Sequence, residues 1–229
     1  MNDPFDIHRI ADVPDPLAGV DDWPLPERPR AAVTNSPTRA RTMTGRVAAL
    51  GVALLYELAW IVVMTKRADL HTTSPGVLLT ELATPIAAAV LALAAAAPSG
   101  AHGLGQPKGR ILALAFLAPT LFVAASLVAS PADVDPEPFV THGLRCLAWT
   151  AVYSLGPMAL AAWAFRRSFV AAPVWRGAAL GMACGAIGAA TMSLVCSVGS
   201  PAHVLVGHGG MMLVGAVGGG RLGKRFLRT

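Results

Sequence analysis

The sequence predicts an all-α, polytopic membrane protein with six transmembrane helices behind a disordered amino-terminal cytoplasmic tail. Three observations predict it. Only 14% of the 229 residues are charged, against roughly 25% in soluble domains, while 54% are hydrophobic and the mean hydropathy is +0.56. Six long apolar runs follow one another from residue 46 onward. The net charge of +5 sits at the edges of these runs and not in one patch, which points to a membrane and away from direct nucleic-acid binding. The composition excludes a soluble enzyme domain, a disulfide-dense secreted module and a wholly disordered chain.

Residues 1–45 form the tail. Pro4, Pro14, Pro16, Pro24, Pro26, Pro29 and Pro37 bar any long helix. The first part is acidic and the second basic, from Arg28 to Arg41, so the segment reads as disordered or ordered by a partner. An acidic start and a late first apolar run are unlike a secretory signal peptide.

Residues 46–229 form the transmembrane domain. Its spans are expected at about 46–65, 77–98, 110–130, 144–165, 177–197 and 203–221, each compared with the roughly 20 residues a hydrocarbon core requires. The last is the shortest and richest in glycine. Breakers mark the connections: Ser74-Pro75-Gly76, Pro98-Ser99-Gly100, Pro131 to Pro138, Pro173 and Ser200-Pro201. Pro85, Pro119 and Pro157 fall inside spans, and no internal repeat accompanies them. With the amino terminus inside, fifteen Lys and Arg lie on the cytoplasmic side, and only Lys66, Arg67 and Arg145 lie outside. That bias places both termini in the cytoplasm.

This orientation sorts the residues that carry chemistry. Cys146 falls at the outer end of span 4 and Cys196 at the outer end of span 5, while Cys184 lies mid-span as a small hydrophobe. A thiol pair facing an oxidising compartment can form a disulfide or hold a soft metal. His142 precedes Cys146 by four residues, and the run Cys196-x6-His203-x4-His208 crosses a turn into span 6. His142, Cys146, Cys196, His203 and His208 are therefore metal-ligand candidates, although the spacing matches no established metal motif. The alternative is that these histidines are interfacial residues with wet tips.

Glu57 lies mid-span and Glu81 near the outer end of span 2. A charge there costs about 2.5–3.5 kcal/mol on insertion scales, so Glu57 serves a proton or cation site or pairs with a neighbouring hydroxyl or histidine. Gly177, Gly181, Gly185, Ala189 and Ser193 recur at every fourth residue of span 5, with Gly207, Gly215 and Gly219 on span 6. Such a small-residue stripe admits another backbone, either within the chain or in a homodimer. No Ser-His-Asp set, phosphate loop, CxxC or HExxH is present, so no enzyme is expected.

The residues then resemble a family: the NrsF-like membrane anti-sigma factors, negative regulators of extracytoplasmic-function sigma factors in bacteria. The resemblance covers roughly 47–229. It lies in Arg67-Ala68-Asp69-Leu70, the Cys146 segment, Arg166-Arg167 leading to Gly177-x3-Gly181, Leu194-Val195-Cys196, Ser200-Pro201 and Leu222-Gly223-Lys224-Arg225-Phe226-Leu227-Arg228. Ser197 stands where a proline is more usual, and Gly207-His208 where a Trp-Tyr pair is expected.

The resemblance implies a six-span inner-membrane protein whose cytoplasmic tail holds a sigma factor. By position, the sigma-binding region lies around Asp3, Asp6, Asp12, Asp15, Asp21, Asp22 and Trp23. Cys146 and Cys196 match the family's periplasm-facing sensor pair, which responds to oxidative or heavy-metal stress and releases the sigma factor. No cofactor is expected beyond a thiophilic metal held transiently at the cysteines. The competing reading is a small-solute or metal transporter using Glu57, Glu81 and His208.

Overall fold

The computed structural model describes residues 39–64, 67–96, 108–129, 139–166, 172–198 and 200–227. Among them every regular element is helical: α1 (Arg39–Val63), α2 (Pro75–Ala96), α3 (Lys108–Ala129), α4 (Phe139–Ala164), α5 (Pro173–Ser193) and a composite α6. The last begins as one α-turn (Pro201–His203), passes through a π-turn (Val204–His208), continues as α-helix (Gly210–Leu222) and ends in a second π-turn (Gly223–Leu227). The chain divides into 1–41 and 42–229, and the tail acids, Trp23 and the acidic loop Asp133, Asp135, Glu137 lie outside the described residues. α1 begins at Arg39, inside the stretch that the sequence assigns to the disordered tail.

Prolines begin three of these helices. Ser74 caps α2, its hydroxyl accepting from the Val77 amide at 3.4 Å, and Pro75 follows at the position where a missing N–H costs nothing. Pro173 starts α5 after Ala172, which turns the chain at φ 52°, and Pro201 starts α6 after Ser200. Pro85, Pro119 and Pro157 do not break their helices. Beside two of them, the Thr84 and Thr120 hydroxyls donate to the Thr80 and Phe116 carbonyls.

The expectation of six spans is not supported: among the described residues four helices are long and apolar enough to cross a membrane, Pro75–Ala96, Lys108–Val128, His142–Ala164 and Pro201–Arg225. Among the residues whose side chains are described, α1 contributes the shorter apolar stretch Gly51–Val63. α5 is too rich in Gly and Ala, and the reason is its place. Most of its residues are buried, so its surface meets other helices and has no need of lipid-grade hydrophobicity. The weakest-looking run, in contrast, extends through the π-turn to 25 residues.

α5 forms the centre. Met182, Ala183, Ala186 and Ala189 pack with Ala88, Ala89 and Ala92 of α2, Ala118 and Phe122 of α3 and Met212 of α6. A second cluster joins Ala179 and Leu180 to Ala95, Ala96 and Ile111. Large apolar side chains point outward on the other helices, among them Leu55 and Val62 (α1), Val90 (α2), Val128 (α3), Trp163 (α4) and Leu213 (α6). A lipid-facing surface has this character.

Candidate functional site

One end of the bundle gathers the start of α4, the chain beyond α5 and the start of α6. There the Cys146 and Cys196 sulfurs lie 3.7 Å apart, and the Cys196 sulfur lies 3.3 Å from His203 Nε2. The His203 and His208 rings meet edge to face at 5.6 Å. One ligand atom from each of Cys146, Cys196, His203 and His208 lies within 4.8 Å of every other. His142, expected beside Cys146, is exposed and is not one of the four. An imidazole at this distance favours the thiolate, the reactive form of a cysteine.

The π-turn explains why two histidines five residues apart converge. On an α-helix they would be rotated about 140° from one another. The π-turn instead closes i→i+5 bonds, seen in the Gly209 amide donating to the Val204 carbonyl at 2.9 Å. The adjoining contact needs Gly207, where a Cβ would come 3.1 Å from the Cys146 Cβ and 3.3 Å from the Gly143 carbonyl. The buried Thr150 hydroxyl fastens it, lying 2.8 Å from the Cys146 carbonyl and 2.9 Å from that of Gly207. The sequence offers no periodicity that announces a π-turn, so the His pairing was visible only as spacing.

Arg67 closes the same end, and its structural role was not legible from the sequence. Although it is 8% exposed, its guanidinium grips Asp69 through two 2.7 Å bonds and Glu81 at 2.5 Å. Its backbone amide donates to the Leu194 carbonyl at 3.2 Å. The hydrogen bonds from Arg67 hold the Asp69 carboxyl down to about 2, and the same partner holds Arg67 still more firmly protonated. Arg67 thus ties the chain after α1 to α2 and to the end of α5. A cavity of about 30 Å³ runs from Arg67 and Glu81 to Ser193, Cys196 and His208, which is room for a water or a small ion.

The other candidates lie deeper. Glu57 is buried and accepts a 2.5 Å hydrogen bond from the Thr191 hydroxyl of α5, the hydroxyl pairing that its position allowed. Beside it, Tyr56 donates to the Val152 carbonyl of α4 at 2.8 Å, and Trp60 packs on Tyr153 at 5.5 Å and Trp149 at 6.5 Å. Cys184 is buried within α5. The glycine stripe packs within the chain: a Cβ at Gly177 would strike the Gly219 carbonyl, one at Gly181 that of Gly215, and one at Gly185 that of Met211. Ala189 continues the stripe into the core, and Ser193 ends it with its hydroxyl on the Ala189 carbonyl.

Comparison with known proteins adds to this geometry. The family model described as negative regulator of sigma F matches residues 31–228. The chain belongs to that family. No curated protein and no solved structure matches it. Membership makes the chain a negative regulator of a sigma factor, a regulatory class and not an enzymatic one. All four cysteine and histidine donors fall within the matched stretch, whereas the acidic half of the tail, Asp3 to Glu27, precedes it.

Proposed function

We propose that this member of the family is a sensor in the bacterial inner membrane, with both termini in the cytoplasm. Its tail holds an extracytoplasmic-function sigma factor and lets go when Cys146 and Cys196 react at the periplasmic end. The convergence of those two thiols, 3.7 Å apart, is the observation that carries the reading. An oxidant that accepts two electrons and two protons joins them as a disulfide, drawing the sulfurs in to about 2.0 Å. Thiophilic metals such as cadmium bridge them instead.

The path to the tail runs through α1. Thr150 and Tyr153, which follow Cys146 along α4, lead to the aromatic seat of Trp60. On α5, Thr191 precedes Cys196 by five residues and holds Glu57. A pull at the cysteines therefore displaces both walls against which α1 rests, and α1 continues directly into the tail. The acidic tail suits a basic face on the partner.

The transporter reading gains nothing comparable. Glu81 is engaged by Arg67 and Glu57 by Thr191. Among the described residues neither carboxylate joins His208 in a group able to hold a metal.

Co-purification of the full-length protein from membranes tests the regulatory reading. A sigma factor is expected to accompany the untreated protein and to be lost after cadmium or dichromate exposure. Failure to retain any sigma factor, or equal retention before and after exposure, would contradict it.

A further inference from the structure

We propose that Cys146, Cys196, His203 and His208 form a closed four-ligand site for a resident divalent ion of the zinc class, occupied in the resting protein. This inference rests on the same cysteines as the sensor reading but adds two ligands and a resting state to it.

The donor set is the first ground. Two thiolates and two imidazoles are the tetrahedral complement of structural zinc sites. Geometry is the second. Zinc–sulfur arms of 2.3 Å in a tetrahedron set the two sulfurs about 3.8 Å apart, and here they stand at 3.7 Å. The sulfur–nitrogen edge of such a site is slightly shorter, as is the 3.3 Å between Cys196 and His203.

His208 supplies the third ground. It is 3% exposed, yet neither ring nitrogen makes a hydrogen bond of ordinary geometry, an arrangement that a buried imidazole rarely tolerates. One of its nitrogens lies within 4.8 Å of the other three donors, so ligation supplies the missing partner. Charge is the fourth. Binding displaces one proton from each thiol to water, and the two thiolates then cancel the double charge of the ion, leaving a neutral centre that the half-buried site can hold.

The surrounding backbone is built to the same end. The π-turn brings the His203 and His208 rings together edge to face, and π-turns inside α-helices occur frequently at functional sites. Gly207 admits α4 to the turn, and Thr150 locks the approach. The ion would staple α4, the chain after α5 and the start of α6. Oxidation of its thiolates to a disulfide, or replacement by a more thiophilic ion, would then release or remake that staple.

The full-length protein, without a polyhistidine tag and stripped by chelator in detergent micelles, is titrated with cobalt(II) and then zinc(II). One equivalent of cobalt is expected to bind with a tetrahedral absorption spectrum carrying a thiolate charge-transfer band, and zinc is expected to displace it. His203→Ala and His208→Ala are expected to weaken binding by more than about 100-fold, beyond the usual effect of outer-shell changes, while Cys184→Ala leaves it unaltered. No saturable binding by the wild-type protein, or wild-type affinity in both histidine variants, would overturn the proposal whether or not any variant is unstable. A chain that binds no cobalt but loses sigma induction as Cys146→Ser would keep the sensor and lose the site. Cobalt binding with normal induction in Cys146→Ser would keep the site and lose the sensor.

Discussion

The α5–α6 contact and the seat of α1 are held together in opposite ways. Between α5 and α6 the backbones touch, with Gly177, Gly181 and Gly185 laid directly on the carbonyls of Gly219, Gly215 and Met211. α1 is held almost entirely by side chains: one tyrosine hydroxyl, one buried carboxylate and an aromatic cluster. A backbone contact has no slack, because any added atom must push a helix axis. A side-chain seat can be loosened by a small tilt and taken up again. The difference sets the releasable seat of α1 close to the cysteines, with Thr191 five residues before Cys196, and the rigid contact farther along α5, at Gly177, Gly181 and Gly185.

Substitutions graded by effect can break or sharpen that contrast. Gly181→Val is expected to be the most damaging, costing about 3 kcal/mol or more as an overpacked contact with no flexible neighbour, measured by unfolding in detergent. Gly218→Ala, which meets nothing within 4 Å, should cost less than about 0.5 kcal/mol. Equal losses at the two positions would remove the distinction drawn for α5–α6.

Thr191→Val comes next. It takes away the hydroxyl that Glu57 accepts from and should cost about 2 kcal/mol, the penalty of an unsatisfied buried group. Basal sigma activity should rise with it, because α1 is left less firmly held. Tyr56→Phe removes only the bond to Val152 and should cost about 0.6 kcal/mol, typical of a hydrogen bond between membrane helices. It should lower the oxidant dose for release without altering the cobalt spectrum.

The smallest effect is electrostatic. The folded-state Asp69 carboxyl is lowered from 3.8 to about 2 by Arg67. Its stabilisation is therefore complete above 3.8 and fades as the pH falls toward 2. Asp69 is partly exposed, so solvent screening keeps the effect modest. Asp69→Asn should flatten that limb of an acid-unfolding curve, and an unchanged limb would separate Asp69 from stability.

The sequence carried the class because lipid imposes a one-dimensional pattern: long apolar runs, flanking arginines and prolines at the turns. All six runs are helices, and three of them begin at a proline. At α5 the hydropathy falls short of a span, since pattern alone does not say which helix is sheathed by its neighbours. The Gly177–Gly185 stripe was legible for the same periodic reason, as were its partners Gly215 and Gly219, whereas Gly207 meets Cys146 and Gly143 of α4 and Met211 takes the place expected of it. The pairing of His203 with His208 depends on a local change of helical pitch, and the Arg67 hub on contacts between segments 14 and 126 residues apart. Neither leaves a period in the sequence.

The most direct test of the central claim is a sigma-dependent promoter followed in cells carrying Cys146→Ser and Cys196→Ser together, under cadmium or dichromate. A flat response is expected, with the sigma factor still held at the membrane. Induction as strong as in the wild type would contradict the assignment of these two cysteines as the sensor.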